Sequence, residues 1–463
     1  MLPTPGPTDP SGTRRPLWLL AGLVVALIVA GLAAVVLRDD DSTGGEVGAG
    51  GPATTVTTVA SAPGSPSPDP PATVAPAPDV PEAQRQIFDQ LMAQTAQIRG
   101  LPWRSSLNLR VVSRPELARR VIEVNARDTD PDRLAAEEAT FKLLGLIPSD
   151  VDYAQLIDDL LAGGVLGFYD PLTRELFVGG DEELDGATKA TIVHEMTHAL
   201  TDQHFNYGPE VLALEEADKV DELAAYSALL EGDASLTEAV WMEEHLDPLE
   251  ALGALLGGGS TDGVEAILSA PEYVQNALYF PYTDGLEFVQ GLHDAGGFAA
   301  VDAAYGRPPT STEHIIHPAT YSGSQGSASP SLPDLAAATG CQRVRSSGLG
   351  EFDMREVLDQ HLGSDEAARA AQGWNGDAYA LLRCGNSLGL VDRWEADAGA
   401  DAGRLVDALG RWARAWSGGR APTADGRFSG PSGSGRITRS GNRVDLVVTQ
   451  DVETVDRIVG VLS

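Results

Sequence analysis

The chain has 463 residues, 43% of them hydrophobic, which is room for two or three domains with buried cores and excludes a wholly disordered protein. Its 67 acidic and 32 basic residues give a formal charge of -35, which argues against nucleic acid or an anionic lipid surface as partner, since both reward clustered Lys and Arg. No repeat with a period of about 20 to 50 residues is present, so solenoids and propellers are set aside.

The first element is "PLWLLAGLVVALIVAGLAAVVL", residues 16–37, which carries no charge and is long enough at about 1.5 Å per residue to cross a bilayer. Arg14 and Arg15 precede it, so the positive-inside rule leaves residues 1–15 in the cytoplasm and the rest of the chain outside. An uncleaved anchor is expected because the apolar run exceeds the h-region of a signal peptide; secretion after cleavage is the alternative. Residues 38–81 are rich in Pro, Ser, Thr and Gly and read as an extended linker. Residues 82–164 read as a helical lead-in, with Ile87, Phe88, Leu91 and Ile98 on one side of its first helix. In "VLGFYDPLTRELFVGG", two short strand-like runs flank Asp170-Pro171, where Pro171 suits the second position of a type I turn.

Directly after that hairpin comes "TIVHEMTHALTDQHF", residues 191–205, read as a helix from about Ala187 to Gln203 that starts near Asp185. Residues i and i+4 share a helix face, so His194 and His198 can both reach one metal ion. Glu195 is offset by about 100° and flanks the open coordination position, where it can take a proton from bound water. Ile192, Val193, Met196, Ala199 and Leu200 make this a buried helix. A third ligand is needed. His204 has the metzincin spacing, but Thr201 stands where that pattern requires the glycine that turns the chain back. On the next helix, stepping by three and four from Glu231 meets Ala224, Ser227, Ala228, Ala234 and Ser235, small residues that allow close approach, and Gly232 adds room. Glu231 is therefore preferred, with His204, Glu238 and Asp221 as alternatives.

"HEMTHALTDQHF" followed by "LLEGDAS" resembles the gluzincins, zinc peptidases whose third ligand is a glutamate on a following helix, and is most similar to a group of largely uncharacterised bacterial proteins assigned as metallopeptidases. The resemblance covers roughly residues 165–321 and implies His194, His198 and Glu231 as zinc ligands with Glu195 as general base. The 32 residues between His198 and Glu231 and the lack of an Asn-Glu pair depart from thermolysin-type members, so their substrate preferences do not carry over. Candidates to stabilise an oxyanion are His314, His317, Tyr282 and Tyr279, on residue type alone. Thr310 and Glu313 have capping-box spacing, and His317 suits a helix C-terminus.

Residues 329–463 alternate around Gly385-Asn386 and around Ser440-Gly441-Asn442 like two hairpins, with an amphipathic helix between, and read as a small α+β module. Cys341 and Cys384 are expected to pair in an oxidising exterior. The whole is expected to be α+β. A mainly helical zincin-like domain at 165–328 carries a short hairpin before the active-site helix, and a single N-terminal transmembrane helix and the C-terminal module flank it. The expected function is that of a membrane-anchored extracytoplasmic zinc peptidase acting on protein or peptide substrates, with zinc-bound water activated by Glu195. The alternatives are a zinc-dependent amidase of a cell-envelope compound and a non-catalytic zinc-stabilised binding protein.

Overall fold

The computed structural model describes residues 82–179, 184–251, 261–322 and 328–462. Helix α1 (Glu82–Arg99) leads into strand β1 (Asn108–Val112), then α2 (Arg114–Asp128), α3 (Pro131–Leu144) and α4 (Tyr153–Gly164). Strands β2 (Gly167–Asp170) and β3 (Glu175–Gly179) form the expected hairpin, and the turn is built by Asp170, whose Oδ1 accepts from the Leu172 amide at 2.9 Å. The hairpin is part of a three-stranded sheet of order β1-β3-β2, with β1 parallel and β2 antiparallel to β3. The lead-in therefore contributes a strand to the sheet beside the histidine helix, and β2 lies at that sheet's edge.

Helix α5 (Gly186–Phe205) begins where the sequence predicts: Asp185 caps it by accepting from the Thr188 amide at 2.8 Å, and Asn206 ends it in the left-handed conformation. Its buried threonines satisfy their own hydroxyls, as when Thr197 Oγ1 donates to the Val193 carbonyl at 2.8 Å. One face of α5, with Ile192, Val193, Met196 and Ala199, packs against Phe88, Leu91 and Met92 of α1 and Leu176 and Val178 of β3. The opposite face, carrying His194 and His198, turns toward α7 (Val220–His245), which follows the short α6 (Gly208–Glu216). Helices α8 (Thr261–Ser269), α9 (Glu272–Gly296), α10 (Phe298–Tyr305), α11 (Thr312–Ile316) and α12 (Pro318–Ser322) complete this half, with α9 lying along α7.

The remainder starts with α13 (Leu335–Thr339), β4 (Gln342–Ser347), α14 (Gly350–Leu362) and α15 (Ser364–Ala371). It continues through β5 (Trp374–Cys384), β6 (Ser387–Ala396), α16 (Gly399–Trp416), β7 (Arg427–Gly430), β8 (Gly433–Ser440), β9 (Arg443–Thr449) and α17 (Val452–Leu462). Its sheet has six antiparallel strands in the order β4-β5-β6-β9-β8-β7. One sheet face packs on α13 and α17 through Leu382, Val391, Val447 and Ile458, while Leu381, Leu390 and Leu446 on the other share a core with α16 and with α7 and α9 of the first half.

Two expectations about the fold are corrected. The anchor at residues 16–37 lies outside the described residues, and among those described no helix is long and apolar enough to cross a membrane, so the observed fold is α+β without a transmembrane element. The C-terminal part is also not a separately packed module. It is an α+β layer whose hydrophobic core is continuous with the first half, stitched by the Tyr273 hydroxyl on Asp353 at 3.0 Å and by Phe280 against Phe352. Short alternating runs identify hairpins, but they do not show that two sets of elements share one core.

Cys341 and Cys384 form a disulfide that joins the ends of neighbouring strands β4 and β5. With a sequence separation of 43, the bond removes at most ~4 kcal/mol of chain entropy from the unfolded state. Urea unfolding of the Cys341→Ser/Cys384→Ser double variant should show a loss approaching that value. A loss below about 1 kcal/mol would contradict the loop-closure account.

Candidate metal centre

Three side chains from two helices converge. His194 Nε2 lies 3.2 Å from His198 Nε2 and 3.1 Å from Glu231 Oε2, and His198 Nε2 lies 3.3 Å from the same Glu231 oxygen. These near-equal edges have a simple meaning. Ligands held about 2.0–2.1 Å from one tetrahedral ion stand about 3.3–3.4 Å apart, so the triangle fits a small divalent cation in its centre. His194, His198 and Glu231 together could hold a metal ion. Local geometry explains the convergence: the i,i+4 spacing stacks the imidazoles on one face of α5, and Gly232 lets the Glu231 turn of α7 lie in a close helix crossing.

The surroundings orient each ligand. His194 Nδ1 faces Glu238 Oε2 at 3.1 Å, and because an ionised carboxylate only accepts, this nitrogen carries a proton and leaves Nε2 to the triangle. Glu238 is one heptad beyond Glu231 on the same side of α7 and meets the His194 nitrogen that is not part of the triangle. The Tyr207 hydroxyl donates to the His198 carbonyl at 3.3 Å, and the Tyr282 ring stacks on that of His194 with centroids 6.0 Å apart. His194 is fully buried, whereas His198 and Glu231 each keep 8% of their surface, so the centre opens on their side.

Glu195 stands beside the triangle. Its Oε2 accepts from the Tyr169 amide of edge strand β2 at 3.0 Å, and Gly167 leaves space for the strand to come this close, since a Cβ there would meet Phe177 O at 3.1 Å and Glu195 Cγ at 3.5 Å. Burial raises the Glu195 carboxyl to about 7 despite the opposing pull of the two histidines. For His194, burial alone would favour the neutral ring, but hydrogen bonds to Glu231 and Glu238 outweigh it and raise the imidazolium to about 10. Glu231 is pushed the other way: the adjacent histidines overcome burial and hold it well below the usual carboxylate range.

A pH dependence follows for metal uptake. The metal-free His194 holds a proton at neutral pH that a cation must displace, so binding releases about one proton and the apparent affinity rises about tenfold per pH unit up to the His194 value. Zinc titration calorimetry at pH 7 in buffers of different ionisation enthalpy should show that proton. Heats independent of the buffer would contradict it.

A family model described as a domain of unknown function (DUF8575) matches residues 339–459, which run from the end of α13 into α17 and stop short of the metal centre. No curated protein matches the chain. A crystal structure from Chloroflexus aurantiacus, described as a "putative hydrolase with a novel fold", is 18% identical over 52% of this chain and 89% of its own, with a TM-score of 0.34.

The other site candidates lie elsewhere. His204 is half-buried and hydrogen-bonds the Pro102 carbonyl at 2.7 Å, because α5 continues straight through Thr201. Asp221 accepts from the Thr312 amide at 2.9 Å and sits ten residues, or about 15 Å of helix, before Glu231. Thr312 belongs to α11, which places His314 and His317 at that far end of α7. His317 Nε2 pairs with Glu351 of α14 at 2.9 Å, and His314 Nδ1 accepts from the Thr310 amide at 3.1 Å, in place of the capping box expected from Thr310 and Glu313. Of the oxyanion candidates, Tyr282 stands against the triangle. The Tyr169 amide left no signal in the sequence, since a backbone donor has no residue type.

Proposed function

We propose that this chain is a zinc-dependent hydrolase that cuts peptide bonds. The observation that carries the reading is the His194–His198–Glu231 triangle with edges of 3.1–3.3 Å and a buried carboxylate beside it. Two imidazoles and one carboxylate are the donor set of catalytic zinc, which leaves a fourth position open. A zinc ion there would supply Lewis acidity, acidifying water and polarising the scissile carbonyl.

The protein's own groups do the rest. Glu195, with a carboxyl raised by burial, takes the proton of the attacking water and passes it to the leaving nitrogen. Ligation alone would not call for this residue, which favours catalysis over a zinc-stabilised binding role. Strand β2 is a sheet edge, and the Glu195 bond to the Tyr169 amide sets the base at that edge, where an extended peptide can add by main-chain hydrogen bonds. The Cys341–Cys384 disulfide supports a place of action outside the reducing cytoplasm.

The purified chain, loaded with zinc, should cleave unstructured peptides, lose that activity to a chelator and regain it with added zinc. Cleavage restricted to non-peptide envelope amides would move the substrate class to the amidase alternative, and inertness toward both would sink the proposal.

A further inference from the structure

We infer that Tyr282 of α9 is a positioning residue for the third ligand, and that the Gly232–Gly285 helix crossing exists to bring it there. This inference rests on the metal-centre reading and extends it to a helix that contributes no ligand.

The Tyr282 ring covers the His194 ring with centroids 6.0 Å apart at a 25° interplanar angle, and its hydroxyl is close enough to Glu231 that burial, the Glu231 charge and a hydrogen bond to that carboxylate push the phenol well above its ordinary value. A phenol donates one hydrogen bond, and a carboxylate has two oxygens; if one oxygen meets a cation, a donor on the group fixes its rotation and its single-oxygen approach. Tyr282 is fully buried, so no water competes for that bond and the ring cannot leave without opening a cavity. An oxyanion donor must face the substrate, and a hydroxyl buried against a ligand carboxylate is better placed to hold the ligand.

The backbone around Tyr282 is shaped for this contact. A Cβ added at Gly232 would overlap the Gly285 carbonyl, and one added at Gly285 would overlap the Ala228 carbonyl, so α7 and α9 touch backbone to backbone next to Glu231 and one turn from Tyr282. Pro281, immediately before Tyr282, removes one N–H from the helix ladder at the same turn.

The test compares zinc affinity by chelator competition and the visible spectrum of the cobalt-substituted full chain in wild type, Tyr282→Phe, Glu231→Ala and the double variant. Tyr282→Phe should stay folded, bind zinc about 10- to 100-fold more weakly and show altered cobalt bands, with no further loss when Glu231 is already alanine. Gly285→Ala, which keeps the hydroxyl but parts the helices, should weaken zinc binding as well. Affinity within about threefold of wild type and an unchanged cobalt spectrum in Tyr282→Phe would overturn the inference while the metal centre stands. A wild type that takes up neither metal overturns both. Should the variants fail to fold, an experimental structure of the zinc-loaded wild type decides: Tyr282 Oη within about 3.0 Å of the Glu231 carboxylate supports the role, and a clear separation removes it.

Discussion

Glu195→Gln should lower peptide hydrolysis about 10²- to 10⁴-fold and leave one zinc per chain in place. The substitution preserves shape, and the amide oxygen of glutamine can still accept from the Tyr169 amide that holds Glu195 Oε2 at 3.0 Å. None of the triangle's edges involves Glu195, so the ligand set is untouched. Only the proton acceptor is lost. Turnover and metal content should be measured on the same preparation, because a variant that loses both reports damage to the site instead of removal of a base. Activity within a few-fold of wild type would mean that another group takes the proton.

Glu231→Ala should lower zinc affinity by more than the roughly 10- to 100-fold expected for an orienting partner, whereas His204→Ala should leave it unchanged. Glu231 provides one corner of the triangle and the only negative charge in it, and its removal leaves His194 and His198 facing each other at 3.2 Å with a large part of their compensation gone. His204 hydrogen-bonds the Pro102 carbonyl on the surface and touches none of these groups in that position. Atomic absorption on the dialysed variants separates the two cases. Zinc lost with His204 and kept without Glu231 would reverse the ligand assignment.

The parts of the site that could be read from residue order are those set by local geometry. The i,i+4 spacing places His194 and His198 on one face whatever surrounds them, and Asp185 and Asn206 bound their helix through caps that depend on a few neighbouring residues. The small-residue face around Glu231 was visible too, because close helix approach needs small side chains. His314 and His317 show the opposite case. Their residue type suits an oxyanion donor, yet the Thr312–Asp221 contact docks α11 at the far end of α7, a pairing across 91 residues that no local pattern contains.

The amino-acid sequence by itself determined the helix that carries His194, Glu195 and His198, the hairpin before it, the pairing of its only two cysteines and the candidate third corner of the triangle. Only the tertiary structure decided that Glu231 and not His204 completes the triangle, that Glu238 faces His194, that Tyr282 stands against the triangle while His314 and His317 lie elsewhere, and that the C-terminal sheet shares the core of the half that carries the triangle. The reason is the range of the forces involved. Caps, turns and helix faces are set within a few residues, whereas the choice among several carboxylates and histidines is made by packing between helices far apart in the chain, where a backbone contact at Gly232 and Gly285 determines which side chains can meet.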